Sequence, residues 1–107
     1  TQMFFDNDYY RTFVKACRAP GITVPIIPGI KLIDGVRQLS SLPKHFHVNL
    51  PDELVDEIHE SPKNVKEIGA NWARKQVEEL VNEGAPCVHF YVMSDARPAV
   101  KIIQELG

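Results

Sequence analysis

The stretch Thr1-Gln-Met-Phe-Phe-Asp6 decides the fold class, because it has the pattern of a buried β-strand that runs directly into a helix. Polar Gln2 stands just ahead of the apolar residues, and a helical pattern begins near Asn7. In parallel α/β folds, ligands bind at the carboxyl ends of the strands, where each strand passes into its loop. We therefore predict an α/β protein in which this first strand end carries functional residues.

Two further segments have the composition of strands that are buried on both faces of a parallel sheet. The first is Ile22–Ile27, which is rich in β-branched residues, and the second is Cys87–Met93. The stretch Pro28-Gly29-Ile30 should end the first of these strands, since glycine permits a turn that a side chain would hinder. The chain thus offers three strand ends.

Amphipathic helical patterns separate the predicted strands. The order is that of a (βα) unit repeated about three times, with an insertion after the second strand. Right-handed crossovers between such strands make the sheet parallel. Residues 43–50 look irregular, and the predicted helices are 7–19, Gly35–Ser41 with Asp34 as its cap, 51–60, 61–83 and a last helix that Asp95 opens.

The length, charge and composition of the chain limit the kinds of partner that it can bind. Its 107 residues are enough for one small domain, and its net charge of −2 with scattered Lys and Arg argues against a nucleic-acid partner. No apolar run approaches the roughly 20 residues that span a membrane. Cys17 and Cys87 fall within apolar patterns, so we predict small core residues in a reducing, cytoplasmic compartment.

The histidines do not predict a metal site. His45 and His47 supply only two ligands, and no third ligand follows with a familiar spacing. His89 alternates with apolar residues in the last predicted strand, and a hydrogen-bonded core residue is the favoured interpretation.

Polar residues near the strand ends remain as candidates for a binding site. Gln2 and Gln38 each offer an amide that both donates and accepts hydrogen bonds, which suits the edge of a heterocycle. Tyr91 and Met93 lie two apart on one strand and project to the same face, where they could pack on a ring. Each of them alone could be structural, but together they predict a site for a flat heteroaromatic ligand.

Several short blocks of the sequence occur together in one enzyme family. They are TQMFFD at 1–6, GITVPIIPGI at 21–30 and HFY at 89–91, with Gln38, Pro51 and Gly69 between them. In order and spacing they closely resemble the carboxyl-terminal part of methylenetetrahydrofolate reductase. The resemblance implies a (β/α)8 TIM barrel of which 1–107 is a single segment holding strands six to eight. It also implies FAD, NADH or NADPH, a folate substrate, one-carbon metabolism leading to methionine, and a homo-oligomer.

The resemblance also implies roles for individual residues. Gln2 and Gln38 match glutamines that contact the folate, and Tyr91 and Met93 match positions that line the same pocket. Many members carry an arginine shortly after the HFY block, whereas Arg97 stands two residues later here. Either Arg97 reaches back or the folate tail is bound differently. The catalytic acid and most FAD contacts are expected upstream, so this chain contributes no catalytic residue.

A barrel of this kind needs about 250 residues, so we expect the 107 residues to be a piece of the enzyme. In isolation it should bind no FAD, show no activity and associate through its exposed sheet edges. The alternative function is a non-catalytic α/β module that holds a small heterocycle.

Overall fold

The computed structural model describes residues 1–46, 48–92 and 96–106. Its elements in chain order are α1 (Asn7–Arg18), β1 (Gly29–Lys31), α2 (Gln38–Phe46), α3 (Asp52–Glu60), a 3-10 turn (Pro62–Asn64), α4 (Val65–Asn82), β2 (His89–Tyr91) and α5 (Arg97–Leu106). Among the helices of these described ranges, none is long and apolar enough to cross a membrane.

The sheet is small and parallel. β1 pairs with β2 so that Gly29 lies opposite His89 and Lys31 lies opposite Tyr91. The first segment joins them through a parallel bridge between Met3 and Gly29. Three successive parts of the chain therefore lie parallel, which confirms the predicted α/β class and is compatible with part of a TIM barrel.

Alternation along the first segment places its side chains in two separate cores. Met3 and Phe5 enter one core, whereas Phe4 enters the other, as expected for an extended chain. The first core, shared with α2, α3 and α4, contains Met3, Phe5, Ile33, Leu42, Val48, Leu54, Ile58 and Ile68. The second, shared with α4 and α5, contains Phe4, Ile30, Ala73, Val77, Leu80 and Ile102.

Helix α4 packs directly on the sheet and binds the first segment through its polar side chains. Gly69 makes the close approach possible, since a Cβ there would lie 1.9 Å from the carbonyl oxygen of Ile33. Trp72 Nε1 donates to the Phe5 carbonyl at 2.7 Å, and Gln76 Nε2 donates to the Phe4 carbonyl at 3.1 Å. The end of the first segment is thereby held in place by α4.

An ion-pair cluster joins α1 to the carboxyl-terminal half of α4. The guanidinium of Arg11 contacts the carboxylates of Asp8, Glu79 and Glu83. The hydrogen bond from Arg11 lowers the pKa of Glu83, and the same contacts raise the pKa of Arg11. The cluster is solvent-exposed, so its net contribution to stability is small.

The predicted strand at Ile22–Ile27 is wrong, because the second strand instead begins at Gly29. Side chains of α1 bind the carbonyl groups of this segment: Arg18 donates to Ile22 and Val24, and Tyr10 donates to Ile26. Pro25 has no N–H to offer a neighbouring strand. Pro28-Gly29-Ile30, predicted to break the strand, instead lies at its start.

The second helical region also differs from the prediction. Helix α2 runs from Gln38 to Phe46 rather than over Gly35–Ser41, and it continues through Pro43 into the stretch expected to be irregular. Leu42 becomes buried in the first core, which offsets the helix-breaking effect of proline. The helices predicted over 7–19 and 51–60 are confirmed by α1 and α3, and that over 61–83 by the 3-10 turn with α4.

The last strand is shorter than predicted, and its first residues are exposed. Of the described residues 87–92 in the expected strand Cys87–Met93, β2 covers His89–Tyr91. Cys87, predicted to lie in the core, is an exposed free cysteine, whereas Cys17 is half-buried and free. His89 is exposed instead of buried. Met93 and the helix cap Asp95 lie outside the described residues.

Candidate functional site

Tyr91, the last residue of β2, reaches across β1 to the start of the first segment. Its hydroxyl donates to the carbonyl of Thr1 at 2.7 Å, and its ring meets the ring of His89 edge-on, with 4.7 Å between the centroids. Gly29 leaves room for the Tyr91 ring because it has no side chain: a Cβ at Gly29 would be 2.6 Å from Tyr91 Cε2. Tyr91 therefore links the last strand to the residue that precedes Gln2.

Gln2 is exposed and lines a cavity of about 700 Å³ between the first segment and α1. Its Nε2 donates to the carbonyl of Phe46, one of the carbonyl groups that the end of α2 leaves unpaired. Aromatic side chains of Phe4, Tyr9 and Phe13 also line the cavity. A cavity of this size with an amide on an aromatic wall can hold a flat ring.

Gln38 is fixed by a reciprocal pair of hydrogen bonds with Asp34. Its Oε1 accepts from the backbone N–H of Asp34 at 2.8 Å, and its Nε2 donates to Asp34 Oδ1 at 2.9 Å. Asp34 thus holds the side chain of Gln38 rather than capping backbone N–H groups. One N–H and one lone pair of the Gln38 amide remain for a ligand.

The predicted site residues are brought together only in part. Tyr91 contacts Thr1 beside Gln2, whereas no hydrogen bond joins Gln38 to Gln2 or Tyr91 in the described part of the chain. Arg97 is the exposed first residue of α5, and Met93 lies outside the described residues. The described residues contain no group of three potential metal ligands, and His47 lies outside them.

One residue at these strand ends was not anticipated from the sequence. Lys31, the last residue of β1, is only 4% exposed, and it is the one charged side chain that is buried among the described residues. The signal was present in the sequence as a lysine within the apolar run Ile30-Lys-Leu-Ile33. The long side chain of a lysine in such a run usually carries its ammonium group to solvent, so the sequence alone does not mark Lys31 as functional.

Comparison with known proteins identifies the family. The family model described as methylenetetrahydrofolate reductase matches residues 1–107. This chain belongs to the methylenetetrahydrofolate reductase family. Similar curated proteins include 5,10-methylenetetrahydrofolate reductase of Pectobacterium carotovorum subsp. carotovorum, 34% identical over all of this chain and 37% of the relative. A probable methylenetetrahydrofolate reductase (NADPH) of Caenorhabditis elegans is 32% identical over all of this chain and 17% of the relative.

A third relative, methylenetetrahydrofolate reductase (NADH) 1 of Zea mays, is 28% identical over all of this chain and 18% of its own length. This chain therefore spans well under half the length of these methylenetetrahydrofolate reductases. Membership of this family favours an enzyme over the non-catalytic binding module. The relatives' names include both NADH and NADPH forms, which agrees with a nicotinamide nucleotide as co-substrate in the family.

Proposed function

We propose that this chain forms the carboxyl-terminal part of the catalytic barrel of a methylenetetrahydrofolate reductase. Thr1–Phe5, β1 and β2 would then be strands six, seven and eight. The observation that carries the proposal is the match of the family over all 107 residues, together with three parallel segments in chain order. Parallel neighbours in chain order are the arrangement that a (β/α)8 barrel requires.

The proposed reaction is the reduction of 5,10-methylenetetrahydrofolate to 5-methyltetrahydrofolate with NADH or NADPH. The resemblance implies FAD, which would act as the hydride carrier when it is bound. The described residues around the 700 Å³ cavity include Asp6 and Asp8 but no Lys or Arg. They suit a flat ring better than a pyrophosphate, which favours cations. We propose that most of the FAD contacts come from parts of the complete protein other than this chain.

Within the proposed site, Gln2 orients the ring of the folate. The Gln2 side-chain N–H that donates to the Phe46 carbonyl can donate instead to an acceptor atom on the edge of a pterin. The Gln2 side-chain oxygen can accept from a donor on the same edge. Gln38 is oriented in advance by Asp34 and needs no rearrangement to use its free N–H. Tyr91, Met93 and Arg97 are proposed as further substrate contacts, with Tyr91 also fixing the backbone at Thr1.

The experiment replaces Gln2 by alanine in the complete protein that carries this segment. Rates are measured separately for reduction of the bound flavin by NAD(P)H and for its reoxidation by methylenetetrahydrofolate. We expect the folate half-reaction to lose roughly ten- to hundred-fold in kcat/KM, the value of one or two hydrogen bonds to the substrate. Flavin reduction should stay close to that of the unmodified protein.

Gln104→Ala is the matched control, since Gln104 is exposed on α5 and is an amide of the same kind as Gln2. It should leave both half-reactions unchanged. Equal losses in the two half-reactions of Gln2→Ala would contradict the assignment of Gln2 to the folate. A complete protein without any folate reduction would contradict the proposed activity itself.

A further inference from the structure

Lys31 is a buried lysine that has no negatively charged partner among the described residues. Its Nζ donates to the carbonyl of Leu32 at 2.9 Å, and it takes part in none of the ion pairs formed by the described residues. An ammonium group has three N–H donors, so two remain unused here. Burying a charge is costly unless it is paired, so this arrangement calls for an anion.

A small cavity lies beside Lys31. Its volume of about 30 Å³ exceeds the roughly 10–15 Å³ that one water needs, so it can admit the oxygen atoms of an acid group. The lining includes Tyr91 and Val92 at the end of β2, and Pro98 and Ala99 in the first turn of α5. The cavity thus lies at the carboxyl ends of both strands, where α/β proteins bind their ligands.

The charges around this cavity favour a negative ligand. Lys66 is a second cation in its lining, and Pro98 and Ala99 bring the amino-terminal turn of α5, the positive end of the helix dipole, to the cavity. Asp34 is the one acidic residue among the described lining residues, and its Oδ1 already accepts a hydrogen bond from Gln38. The carboxylate of Asp34 is therefore partly satisfied away from Lys31.

We propose that Lys31 binds an anionic group, a carboxylate or a phosphate, of a ligand that enters at this end of the sheet. The inference rests on the proposed function, which offers two sources of such a group. One is the glutamate tail of the folate, and the other is the phosphate groups of the nicotinamide nucleotide. In either case the Lys31 ammonium gains an anionic partner, which the described residues do not provide. The ligand gains an ionic contact that the neutral amides of Gln2 and Gln38 cannot supply.

The test replaces Lys31 by methionine, which keeps the length of the side chain and removes its charge. Steady-state KM and kcat are measured in the complete protein for methylenetetrahydrofolate and for NAD(P)H. Loss of one charge-assisted hydrogen bond should raise the KM of one ligand by roughly ten- to hundred-fold, with kcat little changed. A rise for the folate assigns the carboxylate tail, and a rise for the nucleotide assigns the phosphates.

Further measurements separate binding from a structural role. Lys31→Met should be at least as stable as the unmodified protein in urea unfolding, because it removes an unpaired buried charge. Lys31→Arg keeps the charge and should retain most of the affinity. If the folate is the ligand, Lys31→Met and the unmodified protein should have equal KM for an analogue without the tail carboxylates. Lys63→Met, at an exposed site in the 3-10 turn, is the matched control.

If the methionine variant does not fold, Lys31→Gln replaces it, since its amide can still donate to the Leu32 carbonyl. KM values within twofold of the unmodified protein for both ligands would overturn the inference. So would an equal rise in KM for the analogue that lacks carboxylates. An unmodified protein that reduces folate while Lys31→Met is unaffected would leave the proposed function standing and remove only the anion site.

Discussion

Replacing Gly69 by alanine tests how closely α4 packs on Ile33, two residues after the end of β1. The new Cβ would lie 1.9 Å from the Ile33 carbonyl oxygen and 2.8 Å from the carbonyl carbon. Ordinary van der Waals contact begins near 3.4 Å, so the helix and the strand end must separate by about 1.5 Å, the difference between 3.4 and 1.9 Å. A backbone carbonyl at the end of a strand cannot rotate out of the way as a flexible side chain can.

Two opposing effects set the size of the change. Alanine is the better helix former, which alone would stabilise α4 by about 1 kcal/mol. Forcing an extra methyl group into a packed interface costs about 1–3 kcal/mol, and more where the neighbour cannot yield. Because the atom that is met is backbone, we place the steric cost at the upper end of that range. The expected net loss in the free energy of unfolding is about 2 kcal/mol.

Urea unfolding of the complete protein, with hydrogen exchange in peptides from β1 and α4, measures this loss. Gly35→Ala is the matched control, since a Cβ at Gly35 meets no atom within 4 Å. We expect faster hydrogen exchange in both elements for Gly69→Ala. For Gly35→Ala we expect the same exchange rates as in the unmodified protein. If Gly69→Ala were as stable as the unmodified protein, the close approach of α4 to Ile33 would be refuted.

Three further predictions concern α4, the ion-pair cluster and the isolated chain. Trp72→Phe should lower the free energy of unfolding by about 1–2 kcal/mol, because the Phe5 carbonyl loses its donor, and urea titration measures the change. The pKa of Glu83 is lowered in the folded state, so its ion pair with Arg11 stabilises the fold at pH values above the ordinary glutamate pKa of 4.5. That stabilisation is lost as the pH falls through the lowered pKa of the folded state. Arg11→Met should therefore flatten the acid limb of a pH–stability curve, and an unchanged limb would contradict the pairing. The isolated 107 residues should associate and bind no FAD, and a monomeric yellow protein in analytical ultracentrifugation would oppose this.

The helices were predictable because their burial follows local periodicity. In α4, the buried residues Ile68, Ala73, Val77 and Leu80 recur at helical spacing, and the sequence alone contains that information. Helix α2 extends past Ser41 to Phe46, and Leu42, the residue before Pro43, is buried in the first core; such a tertiary contact is invisible to local patterns.

The second strand was misplaced for a different reason. Ile22–Ile27 and the residues after it are both apolar, so composition cannot decide which of them pairs with a neighbour. Arg18 and Tyr10 of α1 donate hydrogen bonds to backbone carbonyl groups of Ile22–Ile27. These carbonyl groups are therefore not available to pair with a neighbouring strand. The Asp34–Gln38 pair and the burial of Lys31 likewise depend on side-chain geometry that the order of residues does not reveal.

The hydrogen bonds to the first segment also constrain how the protein is made. Phe5, Phe4 and Thr1 receive donors that lie 67, 72 and 90 residues further along the chain. At roughly 5–20 residues per second, a ribosome needs on the order of several seconds to supply those donors. During that interval the carbonyl groups of Phe4 and Phe5 lack the donors on α4 that they bind in the folded protein. The end of the first segment can therefore reach its final packing only after α4 has been synthesised.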